Sequence, residues 1–144
     1  MPAPRPDAAG EIADLVQHVG HRLRHRFREQ LEPLGITWAQ FRVLRRLVDA
    51  GEPMRMSDLA ARLDIVPRSA TSLVDDLEAA GFVARSAHPT DRRVTLVAPT
   101  RRGRKVIESA SARRRSAIAP MVDRLDPTEQ AELAALLRRL VESS

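Results

Sequence analysis

The 144-residue chain has no cysteine and no tyrosine, and aromatic residues make up only 3% of it. Without cysteine it can form no disulfide, no thiolate metal site and no thiol redox switch, which fits a reducing compartment such as the cytoplasm. The shortage of aromatic rings argues against a base-stacking surface for RNA. No apolar run is long enough to span a bilayer, so we expect no membrane location.

The motifs of catalysis are also absent from the sequence. It contains no glycine-rich phosphate loop, no nucleophile elbow and no metal-ligand cluster of convincing spacing, so we predict neither an enzyme nor a bound cofactor or metal ion. The composition, 43% hydrophobic and 30% charged, is that of one ordinary globular domain. Basic residues outnumber acidic ones by 24 to 19, a net charge of +5 that favours a polyanionic partner.

Residues 57–97 are predicted to form two short helices followed by a hairpin. Ser57 is a suitable cap for the first helix, and Gly81 can end the second because glycine accepts the left-handed conformation needed there. The second helix is predicted over 67–80, with an apolar face that contains Ala70, Leu73, Val74 and Leu77. The opposite face of its first two turns has short or cationic side chains that suit a DNA groove, namely Arg68, Ser69, Thr71 and Ser72.

The predicted hairpin has an arginine-rich tip. Two segments rich in strand-forming residues, 82–85 and 94–97, flank a turn with the sequence HPTDRR, and residues 54–56 could add a third strand. An arginine at the tip of a protruding hairpin has little use in a core, and it suits a narrow groove of negative potential. For the hairpin alone, a solvated loop is an equal alternative. Together with the helix pair, it predicts a helix-turn-helix with a following wing.

A long first helix is predicted from about residue 7 to 32, roughly 40 Å at about 1.5 Å per residue. One small domain cannot cover its apolar stripe, and a second copy of the chain is the simplest cover. The opposite face holds His18, His21 and His25, which could bind a metal ion or sense pH, although such polar faces are usually only solvated. The apolar stripe consists of Ile12, Leu15, Val16, Val19, Leu23, Phe27 and Leu31.

The later helices are predicted from their caps. Thr37 and Gln40 have the spacing of a capping box at the start of a second helix. Thr100 should cap a long helix that Pro120 bends or breaks. Asp126 should cap the last helix, whose apolar face includes Leu133, Leu136 and Leu137. Like the first helix, these C-terminal helices leave apolar stripes that predict a dimerisation bundle.

These residues resemble the multiple-antibiotic-resistance-regulator (MarR) family of winged-helix transcriptional regulators, from about residue 11 to 140. The most specific marker is the wing pattern Asp-x-Arg, present at residues 91–93 and followed by Thr100 and Gly103. Pro99 departs from the pattern, since the family usually has leucine there. Other markers lie at residues 36–44, 58–60 and 77–85, which read ITWAQFRVL, DLA and LEAAGFVAR.

The resemblance implies a mainly α fold with a small β-wing, in one domain of residues 1–144. A winged helix-turn-helix over 36–103 would be flanked by dimerisation helices over 7–35 and 104–144. The family's members are homodimers that bind palindromic double-stranded DNA operators, so the resemblance implies a sequence-specific regulator, and we expect a repressor. It also implies release by a small effector, which we expect to be aromatic or phenolic.

The family's residue roles can be transferred to matching positions. Arg93 would enter a minor groove, Arg92 would meet phosphate, and Asp91 would hold the wing by pairing with Arg85 or Arg93. The residues nearest the bases of the major groove would be Pro67, Arg68, Ser69, Thr71 and Ser72.

An effector pocket is implied near the junction of the dimer and DNA-binding regions. His21, Trp38 and Phe41 are the candidates there, although a plain core role explains Trp38 well. The alternative function for the whole chain is a winged-helix module for protein contacts or RNA binding. That function would need an exposed apolar or aromatic face, which this composition supplies poorly.

Overall fold

Six α-helices and three short strands make up residues 7–142, the part of the chain that the computed structural model describes. Residues 1–6 and 143–144, which the predicted domain includes, lie outside the described residues. No described helix is long and apolar enough to cross a membrane. The strands are β1 (Met54–Arg55), β2 (Val83–Ala87) and β3 (Thr95–Pro99). The helices are α1 (Ala8–Leu31), α2 (Trp38–Ala50), α3 (Met56–Leu63), α4 (Pro67–Ala79), α5 (Arg101–Val122) and α6 (Pro127–Glu142).

The helix caps form much as the sequence predicts. At the start of α2, Gln40 N donates to Thr37 Oγ1 at 3.1 Å and Thr37 N donates to Gln40 Oε1 at 3.0 Å, so the capping box is confirmed. The predicted cap of α6 is confirmed too, because Asp126 Oδ1 accepts from the backbone N–H of Thr128 and Glu129 at 2.8 and 2.9 Å. Each cap satisfies donors that the first turn leaves open.

The prediction that Ser57 caps the first helix of the pair is wrong. The helix α3 begins at Met56, one residue before Ser57, and no side chain caps it. Arg55 is extended and pairs with Leu96 in the sheet, so the chain passes directly from strand to helix. Ser57 therefore lies inside the first turn instead of before it.

The predicted wing is confirmed as a three-stranded antiparallel sheet in the order β1-β3-β2. Both hairpin strands start and end later than predicted. Phe82 precedes β2 because its N–H donates to Leu77 O at 2.9 Å in the motif that ends α4. At the other end, Thr100 N donates to Phe82 O at 3.0 Å, so the nitrogen of Pro99 points to the opposite edge. The pairing with β1 extends along β3 only as far as Val97, so no partner at that edge needs an N–H from Pro99.

Of the two predicted effects of Pro120, a bend or a break in the long C-terminal helix, the break is wrong, because α5 continues to Val122. A proline removes one hydrogen bond, to the carbonyl four residues earlier. That loss is confined to the end of the helix, where Asp123 N still donates to Ala119 O at 2.8 Å. Only two helical residues follow the proline, so little structure depends on the missing bond.

The core lies within the winged helix and the adjoining part of α1. Buried side chains from α1 to α5 and from the sheet form one cluster, whose largest fully buried members are Phe27, Leu31, Leu44, Leu47, Leu59 and Leu77. Outside it, the predicted stripe of the first helix divides at its middle. Phe27 and Leu31 are buried, whereas the stripe is exposed at Ile12, Leu15, Val16 and Val19. The helix α6 contains no buried residue.

Candidate nucleic-acid interface

The first two turns of α4 present an exposed polar face. Its apolar side is held in the core by Ala70, Val74 and Leu77. Thr71 Oγ1 donates to Pro67 O at 3.0 Å, one turn back, so its hydroxyl proton is used within the helix. The five predicted major-groove residues are all exposed on this helix, at Pro67, Arg68, Ser69, Thr71 and Ser72.

Gly81 ends α4 as the sequence predicts. It has a φ of +79°, and its N–H donates to Glu78 O at 2.9 Å. The next N–H, that of Phe82, donates to Leu77 O at 2.9 Å. These two bonds are the Schellman pattern of a helix end, which turns the chain sharply from α4 into the wing.

At the wing tip, Asp91 organises the turn and Arg93 extends from it. Asp91 Oδ1 accepts from Arg93 N at 3.1 Å and from Arg93 Nε at 3.4 Å. Of the two arginines predicted to pair with Asp91, Arg93 forms the pair in the structure. The Arg93 side chain is nevertheless 93% exposed. Arg92 is exposed too. Both guanidinium groups are therefore accessible to a polyanion outside the protein, although Arg93 also pairs with Asp91.

Arg85, the other candidate partner of Asp91, ties the wing to α4 instead. Its Nη2 lies 2.5 Å from Asp75 Oδ1, and its Nη1 lies 3.2 Å from Glu78 Oε1. Its backbone N–H also donates to Glu78 Oε2 at 3.1 Å. Partial burial of Arg85 lowers its pKa, but the hydrogen bonds and charges of the two carboxylates outweigh that effect and raise it. The sequence gives no local signal for this pairing, because it spans seven to ten residues across a turn.

A second tight junction joins the wing to α5 through Thr100 and Gly103. Thr100 Oγ1 donates to Gly81 O at 2.7 Å and accepts from Gly103 N at 3.1 Å, so one hydroxyl holds the end of α4 and caps α5. A Cβ at Gly103 would lie 2.1 Å from Phe82 O. The glycine is therefore required for this close approach, which explains its place in the pattern that the sequence matches.

Comparison with known proteins decides the family. A sequence model of the MarR family matches residues 36–95. The HTH-type transcriptional repressor Rv2887 of Mycobacterium tuberculosis is 32% identical over 126 residues, which cover 88% of this chain and 90% of that protein. The chain belongs to the MarR family. It is a DNA-binding transcriptional regulator.

Solved structures of MarR-family proteins confirm the predicted fold class. Rv2887 in complex with DNA matches with a TM-score of 0.76 at 30% identity, over 89% of this chain and 95% of that one. A mutant of MarR from E. coli, in complex with operator DNA, matches with a TM-score of 0.72 at 28% identity, over 93% and 98%. Both matches extend well beyond the winged helix into the flanking helices.

Of the three candidate effector residues, two lie together. Trp38 stacks on Phe41 with ring centroids 5.7 Å apart, and Phe27 meets both rings edge-on. Phe41 is buried behind Trp38, which itself borders an open depression of about 510 Å³. The depression is lined by Arg28, Glu32, Ile36, Thr37, Trp38 and Ala39. His21 borders a different depression, with Asp14, Gln17, His18 and Arg24.

The predicted histidine stripe of α1 lies at the surface of the chain. His18, His21 and His25 are all exposed. Glu29 Oε1 lies 3.6 Å from His25 Nε2, one turn further along the helix. Within residues 7–142, no group of three histidine, cysteine or acidic side chains is arranged to hold a metal ion.

Proposed function

We propose that this MarR-family protein is a repressor that binds a palindromic operator as a homodimer. The observation that carries the proposal is the exposed polar face at the start of α4, next to a wing whose arginines extend into solvent. A helix of this kind reads base edges with its N-terminal residues, and a two-fold dimer places two such helices in successive major grooves. Such a function requires access to DNA, and we propose a cytoplasmic location.

We assign base recognition to α4 and groove and phosphate contacts to the wing. Arg68, Ser69, Thr71 and Ser72 would face base edges, with Pro67 beginning the helix. Arg93 would enter the minor groove, since an exposed guanidinium is attracted by its negative potential. Arg92 would meet phosphate. Asp91 would be repelled by DNA, and its two bonds to Arg93 give it the role of orienting that residue.

The dimer is proposed from exposed apolar side chains. Ile12, Leu15 and Val16 on α1 are each more than half exposed, and α6 exposes Leu136 in the same way. Contiguous apolar surface of this kind marks an interaction site, and a second copy of the chain can cover matching stripes by two-fold symmetry. Sedimentation should give a stable dimer at micromolar concentration, and a folded monomer there would contradict this assignment.

The experiment that tests DNA recognition starts from a random pool of duplexes. Selection with the full-length protein should yield a two-fold symmetric sequence. Affinities for that sequence and for random DNA are then measured across a salt series. Arg93→Ala should weaken binding to both DNAs and lower the salt slope by about one, because much of its attraction is to phosphate charge. Thr71→Ala should act mainly on the selected sequence, by about 1–3 kcal/mol.

Arg124→Ala is the matched control for charge. Arg124 is exposed beyond the end of α5. At about 1.5 Å per residue, the length of α5 separates it by roughly 30 Å from the junction with the wing. Removing this arginine lowers the net charge as Arg93→Ala does, and binding should hardly change. If wild type, Arg93→Ala and Thr71→Ala bind both DNAs alike, the helix and wing assignments are wrong, and a module for protein or RNA contacts becomes the better function.

We also propose a small aromatic or phenolic effector in the depression beside Trp38. The indole offers a stacking surface, and Arg28 at the rim could pair with a phenolate or carboxylate. Because Trp38 is the only tryptophan, its fluorescence should change on titration with substituted phenols and benzoates in parallel with release of DNA. Arg28→Ala should weaken that response, and His21→Ala should not. Release of DNA without a fluorescence change would contradict this site.

A further inference from the structure

Val66 is an exposed apolar residue in an unusual place. Among the described residues, all other large hydrophobic side chains that are exposed lie on α1 and α6. Val66 alone lies in the winged helix, and 63% of it is exposed. It occupies the cap position of α4, immediately before Pro67. The other large apolar residues of the winged helix are buried or half-buried, so the valine at this position has a cause other than core packing.

Helix stability does not supply that cause. Valine is among the poor residues at a cap position, because it has no side-chain oxygen to accept from the first turn. Accordingly, no side chain caps α4, and only the backbone carbonyl of Val66 accepts, from Ser69 N at 3.0 Å and Ala70 N at 3.2 Å. Serine or aspartate would stabilise the helix better there by about 1 kcal/mol. The side chain therefore serves neither the core nor the helix.

Thr71 gives the same end of α4 a second apolar group. Its hydroxyl donates to Pro67 O at 3.0 Å, within the helix, which leaves the hydroxyl only as an acceptor toward the outside. Its methyl group is not used by that bond. Pro67, one turn before Thr71, and Val66, which precedes the helix, are exposed too, so the N-terminal end of α4 combines apolar groups with the cation of Arg68.

We propose that Val66 recognises the 5-methyl group of a thymine in each operator half-site, with the methyl of Thr71 as a second apolar contact. This inference rests on the proposed function of α4 as the reading helix. The thymine methyl is the apolar group that the major groove presents, and aliphatic side chains recognise it by contact. The neighbouring Arg68 favours DNA over an apolar protein surface as the occupant, because phosphates attract it and an apolar partner would desolvate it.

The test uses full-length protein and the operator obtained by selection. Each thymine of the half-site is replaced in turn by deoxyuridine, which lacks only the methyl group. Every replacement is made first in one half-site and then at the matching position of both half-sites. At one position, or at two adjacent positions, the replacement should weaken binding about fourfold per half-site, the equivalent of about 0.8 kcal/mol for one buried methyl. Replacement in both half-sites should therefore weaken binding about sixteenfold, if the half-sites act independently.

Val66→Ala identifies the residue that makes the contact. It should weaken binding to the natural operator by a similar factor and abolish the effect of deoxyuridine at that position, while affinity for random DNA stays unchanged. Val66→Thr, which has the same shape and keeps one methyl, should retain part of the effect. Because Val66 is exposed, Val66→Ala should unfold at the same denaturant concentration as wild type, which separates recognition from folding.

The outcomes separate this inference from the proposed function. If selection yields no preferred sequence, the proposed function itself fails. If wild type prefers the operator but no deoxyuridine replacement weakens binding, the inference alone is overturned. It is equally overturned if Val66→Ala remains as sensitive as wild type at every thymine, because the methyl is then read by another residue.

Discussion

Replacing Gly103 by alanine should destabilise the protein, although alanine is much the better helix former. Gly103 is the third residue of α5, and an ideal Cβ there would lie 2.1 Å from Phe82 O and 3.0 Å from Phe82 C. A carbon and an oxygen ordinarily approach no closer than about 3.3 Å. Both obstructing atoms belong to the backbone, so no side-chain rotation can relieve the contact. Either α5 or the start of the wing must move by about 1 Å.

Opposing terms decide the size of the effect. Forcing an extra carbon into a packed junction costs about 1–3 kcal/mol. Phe82 O also accepts from Thr100 N at 3.0 Å, and a displaced carbonyl weakens that bond, which adds about 1 kcal/mol. In the other direction, exchange of glycine for alanine in a helix returns about 1 kcal/mol. The net expectation is a loss of about 1–3 kcal/mol in the free energy of unfolding.

Urea unfolding followed by circular dichroism, at one fixed protein concentration, measures that change. Ala112→Gly, at an exposed position of the same helix, is the matched control, because it measures the helix-propensity term alone. It should destabilise the protein by about 1 kcal/mol. If Gly103 were only an exposed helix glycine, Gly103→Ala would stabilise the protein by a similar amount. A raised unfolding midpoint for Gly103→Ala would refute the close approach on which this reasoning depends.

Further predictions concern the wing, α6 and α1. Arg85→Ala should lower the free energy of unfolding by about 1 kcal/mol, since it breaks two partly exposed ion pairs, and should weaken operator binding because the wing loosens. Asp126→Ala removes the cap of α6 and should cost about 1 kcal/mol of helix stability, visible as lower helicity on heating. Replacing His18, His21 and His25 together with alanine should leave zinc binding unchanged in calorimetry. A lost zinc isotherm would mean that the stripe is a metal site.

The features that could be predicted from sequence depend on residues close together in the chain. Thr37 with Gln40, the glycine at 81 and Asp126 each satisfy backbone groups within three or four positions. A cap signal can still fail when a neighbouring element takes priority. Ser57 is such a case, because strand pairing of Arg55 fixes where α3 begins. Local chemistry alone does not contain that information.

The features that could not be predicted depend on how separate elements approach each other. Asp75 and Glu78 could be expected to pair with some arginine, but only the angle between α4 and the wing selects Arg85. The contact between Gly103 and Phe82 likewise requires α5 to pass within atomic contact of the chain before β2. The exposed face of α4 was easier to predict, because a side chain that is polar on an amphipathic helix needs only the helical period to be assigned to the exposed side.

In the proposed function, the residues that face DNA are separate from those that hold them in place. Thr71 and Val66 lie exposed at the N-terminal end of α4. Arg85 and Gly103 instead lie at the contacts of the wing with α4 and with α5. Changes in the second pair alter the distance between helix and wing, so they should lower stability and weaken binding to every DNA sequence together. Changes in the first pair leave that distance intact. They should shift which bases are preferred while the unfolding midpoint stays constant, and a variant of either pair that behaved like the other would show that the two roles are not separate.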